Sequence, residues 1–304
     1  MPHTCFLCSS ENPDRVVTHT ADGSIASYPG RFEGPEGMVN GGIAIAAMGC
    51  AALHNAPAGD DAIYRLTGRL RRPVPLARDL QLSATRDEGA WATALLNGED
   101  SVVTGSVVVG PSAAATWAPV PGHLAEPLAR LQALAGSRPA AGTRTVGEGL
   151  VQAWGPMVQT CFGCLRPRER GGLNLPGYIM DTGTVWSELA PDPTLTDPAG
   201  TLPAAIAAAA ADCQTGIVQS ADPEFDRALG TDSMATTGSL DYHFLRPLPS
   251  WSEPLRVLGA ALGRDGRKVF GMAAIFDAAN TPCVVSEATW IIIPRPAPAG
   301  QPTT

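Results

Sequence analysis

The chain has 304 residues, 44% of them hydrophobic and 16% charged, with a net charge of −8 and a pI near 5.1. That length suggests two units of ordinary size built around a large apolar interior. The acidic balance, with no basic stripe to offset it, argues against nucleic acid or an anionic membrane surface as the main partner.

The opening Met1-Pro2-His3-Thr4-Cys5 lacks the basic segment and apolar core of a secretory signal. The expected location is therefore the cytoplasm, where the seven cysteines should be mostly reduced. Strands are predicted near 16–20 and 24–31. Then comes Gly37-Met38-Val39-Asn40-Gly41-Gly42, followed by an apolar run from Ile43 to Leu53. Asn40 is a good helix N-cap, and Gly41 and Gly42 leave the first-turn N–H groups open to an approaching acceptor. The run behind them is apolar on every face, which predicts a helix over 41–55 enclosed on all sides. It is too short to span a bilayer. A glycine-rich turn before an ordinary core helix has the same local features. Four more strands are expected near 63–71, 80–87, 90–97 and 101–109, the last three joined by turns rich in Asp, Glu and Gly.

Residues 111–156 are rich in Pro, Ala and Gly around one amphipathic segment, 123–135, with Leu124, Leu128, Leu131 and Leu134 at helical spacing. After this linker the plan repeats. Cys5-Phe6-Leu7-Cys8 returns as Cys161-Phe162-Gly163-Cys164, and the glycine-rich helix start returns as Gly200-Thr201-Leu202-Pro203-Ala204-Ala205. Arg72-Pro73-Val74-Pro75 returns as Arg246-Pro247-Leu248-Pro249. Matches in the same order indicate duplication. The second copy predicts strands near 172–175 and 178–188, a helix over 203–219, and strands near 236–244, 255–262, 267–277 and 283–293. The repeats thus run over about 1–110 and 157–294, and the Pro-rich tail 295–304 should be disordered. One apolar helix per antiparallel sheet is an α+β arrangement in which the sheet curls around the helix.

The element Gly37-x-x-Asn40-Gly41-Gly42 with its small-residue helix resembles the G-x-x-H-G-G element of hotdog-fold acyl-CoA thioesterases of the phenylacetate-pathway type. The Arg-Pro-hydrophobic-Pro and Cys-Phe-x-Cys segments look like members of that superfamily as well. The resemblance covers nearly the whole chain and implies two fused hotdogs. It also implies that a glycine N–H polarises the thioester carbonyl, while a carboxylate eight residues along the partner helix attacks it or activates water. Carried over residue by residue, Gly41 takes the glycine position and Gly49 stands where that copy's carboxylate would be. In the second copy Ala204 takes the glycine position and Asp212 the carboxylate position. Each copy holds half a site, so the expected working combination is Gly41 with Asp212. Asn40 stands where the family has histidine, and would cap the helix and orient substrate or water.

Gly42, Arg72, Arg246 and His54 are the expected substrate contacts, the arginines toward coenzyme A phosphates. His54 could equally cap its helix, and the arginines could line a solvated strand edge. The two C-x-x-C pairs could form one tetrahedral zinc site only if both amino-terminal segments met; a disulfide, a redox role or packing is open to each. Metal-free, reduced pairs are expected, with Cys50, Cys213 and Cys283 in the core. The functional expectation is hydrolysis of an acyl-CoA or acyl-carrier thioester, with no cofactor beyond the coenzyme A of the substrate; a homo-oligomer of double-hotdog units is open. A hotdog hydratase or dehydratase and a non-catalytic thioester-binding protein are the alternatives.

Overall fold

A computed structural model of the chain describes residues 5–21, 23–57, 61–113, 117–146, 157–222, 225 and 233–294. The first copy contributes β1 (Val17–Thr20), β2 (Gly23–Ala26), α1 (Gly41–Asn55), β3 (Asp61–Leu70), β4 (Leu80–Asp87), β5 (Ala90–Asn97) and β6 (Asp100–Pro111). Between the copies runs α2 (Ala125–Ala135), followed by the single turn α3 (Met157–Thr160). The second copy gives β7 (Tyr178–Asp181), β8 (Thr184–Leu189), α4 (Ala204–Ile217), β9 (Ser233–Phe244), β10 (Leu255–Asp265), β11 (Lys268–Phe276) and β12 (Pro282–Pro294).

All twelve strands form one antiparallel sheet in the order β1-β2-β4-β5-β6-β3-β9-β12-β11-β10-β8-β7. The two halves read the same from either end, so a twofold lies between β3 and β9. The register locates it. Five residues before the equivalent Arg72 and Arg246 stand Thr67 and Asp241, and these two face each other across the β3–β9 pair. Even the bulges agree, since β3 skips a residue after Ile63 and β9 skips one after Thr237. The fold is a double hotdog, with one continuous sheet curled around two central helices.

Those helices touch each other because their sequences are small at the crossing. A Cβ on Gly42 would lie 2.3 Å from the Ala208 carbonyl oxygen, so only glycine permits this approach. In α1 every residue from Gly41 to Ala52 is buried, and in α4 every residue from Ala205 to Ile217 is buried. The all-round apolar pattern therefore reflects a helix with sheet on one side and helix on the other.

Several predicted elements differ. The strand expected over 24–31 ends at Ala26, because the chain turns through a 3₁₀ segment, Gly30–Phe32, preceded by Pro29. The strand expected over 172–175 is irregular. Leu173 N–H donates to the Phe162 carbonyl and Leu175 N–H to the Cys164 carbonyl, so its backbone pairs with the Cys161–Cys164 turn instead of the sheet. The single strand expected over 178–188 is a hairpin folded at Gly183, whose φ is +75°.

The amphipathic segment is more than a connection. Leu124, Leu128, Leu131 and Ala135 pack on the outer face of the second half-sheet against Trp186, Leu258, Met272 and Phe276. The expected tail, 295–304, and the end of the linker, 147–156, lie outside the described residues. No described helix is long and apolar enough to cross a membrane.

Candidate active site

Asn40 caps α1 as its side chain predicts, Oδ1 accepting from Ile43 N–H at 3.2 Å. No acidic residue lies in the first turn. What covers this positive end comes from the other copy: Gly42 N–H donates to Asp212 Oδ2 at 2.9 Å, and Gly41 N–H also faces that carboxylate. The second oxygen, Oδ1, accepts from the Thr237 hydroxyl at 3.1 Å. Asp212 sits in the middle of α4 and is 2% exposed. Burial pushes its carboxyl up to about 7, while the Gly42 N–H works in the opposite direction. Its hydrogen-bond donors are neutral, and each carboxylate oxygen retains acceptor capacity for a further donor.

The carboxylate opens onto a cavity of about 280 Å³. Asn40, Gly41, Asp212 and Thr237 line it together, Met38, Val74 and Trp290 are among its apolar walls, and Arg71 and Arg72 also line it. The twofold repeats this cavity on the other side as a space of about 460 Å³ that includes Cys50, Ile63, Pro203 and Ala204. There Gly49 replaces the aspartate. A Cβ on Gly49 would meet Ile63 Cδ1 at 2.5 Å, so Ile63 fills the room a carboxylate would need. Ile63 is the twofold equivalent of Thr237. Thr237 was not singled out from the sequence, although counting from the two Arg-Pro segments aligns it with Ile63.

The cysteines differ from expectation. The two C-x-x-C pairs do not meet; each folds over its own central helix and is joined there by a third cysteine. Cys5, Cys8 and Cys50 form one group and Cys161, Cys164 and Cys213 the other, the sulfurs in each lying within 4.8 Å of one another. Cys5 and Cys50 are bonded as a disulfide, so the first pair is not fully reduced and Cys50 is not simply core. Cys161, Cys164, Cys213 and Cys8 are free, as is the buried Cys283. The Cys213 and Cys164 sulfurs are 3.3 Å apart, and Cys161 and Cys213 3.6 Å apart. Hydrogen bonds from the Cys164 and Cys213 thiols, opposed by burial and helped by the N–H groups of Cys164 and Gly163, hold Cys161 below the usual thiol range.

The remaining expected contacts separate. Arg72 lines the cavity and pairs with Asp100 at 2.7 Å. Gly42 does not line it; its N–H is engaged by Asp212 and its missing side chain admits α4. The Asn40 amide nitrogen donates to Cys213 Sγ at 3.4 Å and its oxygen caps α1, which leaves one N–H and one acceptor position on a residue that lines the cavity. Arg246 pairs with Asp277 at 3.2 Å and is absent from the cavity wall. His54 is stacked on His19 at the far end of α1, ring centroids 3.8 Å apart. It points toward β1, away from the site, and lies nearly four helical turns beyond Asn40.

No family model and no curated protein matches this sequence. Solved structures do match the fold over nearly its whole length. A conserved hotdog-fold protein of unknown function from Alicyclobacillus acidocaldarius is 14% identical, covering 95% of this chain and 100% of its own, with a TM-score of 0.60. The dehydratase domain from the CurJ module of curacin polyketide synthase is 12% identical over 91% and 96%, with a TM-score of 0.58. An acyl-CoA thioesterase II from Mycobacterium marinum is 11% identical over 94% and 97%, with a TM-score of 0.51. At these identities the likeness is one of fold.

Proposed function

We propose that the chain hydrolyses an acyl thioester at one composite site, with Asp212 from the second copy working against the α1 N-terminus of the first. The observation that carries this reading is a buried carboxylate, held by Gly42 N–H and the Thr237 hydroxyl, in the wall of a cavity whose twofold equivalent has Gly49 and Ile63 instead. A charge retained in a core where an apolar pair also fits is a candidate for chemistry.

In this mechanism the thioester carbonyl accepts from Gly41 N–H, the first-turn donor that lines the cavity while Gly42 N–H stays on Asp212. Asp212 takes a proton from water, whose oxygen adds to the carbonyl carbon. The charge that develops on the carbonyl oxygen meets the positive end of α1. The carbon–sulfur bond then breaks, and the thiolate leaves with the proton from Asp212. Hydrolysis by this route consumes only water and thioester. Arg71 and Arg72 are suited to the phosphates of coenzyme A or of a carrier-bound arm. A dehydratase reading is disfavoured because none of the described residues lining the cavity is a histidine. A screen of acyl-CoA chain lengths with wild type and Asp212→Asn tests the proposal: turnover by the wild type alone supports it, and no turnover by either favours a binding protein.

A further inference from the structure

The second cysteine group has a geometry that hydrolysis does not use. Its three sulfurs come from a C-x-x-C turn and from one position in α4, and all three are unbonded. A tetrahedral zinc ion with Zn–S bonds of about 2.3 Å holds its sulfurs roughly 3.8 Å apart. The separations of 3.3 and 3.6 Å need to open by only a few tenths of an ångström to reach that triangle.

The surroundings also supply N–H donors to two of the sulfurs. Gly163 and Cys164 N–H groups point at Cys161 Sγ, and the Asn40 amide donates to Cys213 Sγ. Such N–H donors form the outer shell that orients metal-bound thiolates. Gly163 is required for the closeness, since a Cβ there would stand 2.4 Å from Cys213 Sγ. The turn is anchored from outside: Phe162 N–H donates to the Glu33 carbonyl, and Arg166 pairs with the Glu33 carboxylate at 3.0 Å. Independently, the first copy assembles Cys5, Cys8 and Cys50 from the corresponding turn and the corresponding helix position. Three cysteines have thus stayed together in both halves, although the acid and hydroxyl of the candidate site remain in only one.

We propose that Cys161, Cys164 and Cys213 bind one zinc ion as thiolates, with water completing the tetrahedron on the cavity side, where all three residues form part of the wall. Three protein ligands and one open position is the arrangement of zinc sites that exchange their fourth ligand. Binding releases the thiol protons to solvent and needs no redox partner. The first group is committed differently, because the Cys5–Cys50 disulfide leaves Cys8 as its one free thiol. The site does not depend on Asp212 being catalytic.

The test is the metal content of the full chain, purified without added metal or reductant, by plasma mass spectrometry, followed by removal with a chelator and titration with Co²⁺. The expected result is about one zinc per chain, with cobalt giving thiolate charge-transfer absorption and the intense visible bands of tetrahedral geometry. Cys164→Ser, at the most exposed of the three ligands, should weaken cobalt binding by more than about 100-fold, beyond the range for loss of an outer-shell partner. Cys8→Ser should leave it unchanged. If Cys164→Ser does not fold, the wild-type titration decides alone. Zinc-free protein that shows no tetrahedral cobalt bands, or mass spectrometric detection of a disulfide among these three cysteines, would overturn the proposal.

Discussion

Replacing Asp212 by Asn separates chemistry from architecture at a single atom. The two side chains have the same shape, so the Asn carbonyl can take over the 2.9 Å bond from Gly42 N–H while its amide turns toward Thr237 Oγ, which can accept. Both local hydrogen bonds survive, and a negative charge buried to 2% exposure among neutral donors disappears. Because burial raises the carboxyl to about 7, the charged form weakens the fold increasingly as pH rises toward and past that value, and the neutral amide should be the more stable there. Turnover should fall by about 10²–10⁴, the loss expected when an acid/base group is removed, which is roughly 2.7–5.5 kcal/mol of barrier. The assay follows thioester absorbance for a series of acyl-CoAs, with thermal unfolding of both proteins measured in parallel. A variant that is more stable and inactive is the expected signature. Equal turnover would remove Asp212 from the mechanism, and inactivity accompanied by a lower melting temperature would make the carboxylate a structural group.

Gly42→Ala should be strongly destabilising, because its Cβ would lie 2.3 Å from a backbone oxygen that cannot rotate away; a cost of about 1–3 kcal/mol in urea unfolding is expected. Gly49→Asp should leave turnover unchanged and lower stability, since Ile63 occupies the space and the facing helix begins at Pro203-Ala204; a gain in rate would show that the second half is still competent. Leu131→Ala should cost about 2–5 kcal/mol with full activity per folded molecule, because Leu131 is fully buried under α2 on the face of the sheet away from the cavity. Burial pushes Asp241 up, but His243 and Arg65 hold it below the usual carboxylate range. Its stabilising effect is therefore present above the ordinary carboxylate pKa and is lost as pH falls through its own lower value. Wild type should lose its advantage over Asp241→Asn on acidification from about pH 5 to 3, measured as urea midpoints.

The central helices and the sheet that wraps them were legible because their signals are local and repeated. The apolar run behind Asn40, the hairpin turns and the two Arg-Pro segments each specify a neighbourhood, and duplication supplies the relation between them. The failures share a different cause. Leu173 and Leu175 have strand-like composition, but their N–H groups find the carbonyls of a turn about eleven residues earlier, which alternation cannot reveal. The cysteine groups were hidden for the same reason: Cys50 and Cys213 sit in apolar helices, and nothing in their spacing says that a C-x-x-C turn folds back over them. The linker helix showed its own apolar face, yet the residues it covers are scattered through β8, β10, β11 and β12.

The asymmetry between the halves shows how a duplicated fold concentrates a site. Asp212 and Thr237 hydrogen-bond to each other, and their equivalents Gly49 and Ile63 pack against each other. One pair is polar and mutually satisfied, the other apolar and filled. A mixed pair would fit neither way. An aspartate facing Ile63 would be a buried charge without its hydroxyl donor, and a threonine facing glycine would leave both a void and an unpaired hydroxyl. The two positions are therefore coupled through one contact and can change only together with little loss. The helix starts differ too: Asn40 caps α1 and the glycines behind it turn N–H groups to Asp212, while Pro203 makes no side-chain cap and Gly49 leaves the Ala204 end of α4 without a facing carboxylate. Each half thus keeps the element that complements what the other half supplies across the twofold, so the candidate site draws its carboxylate from one copy and its helix N-terminus from the other.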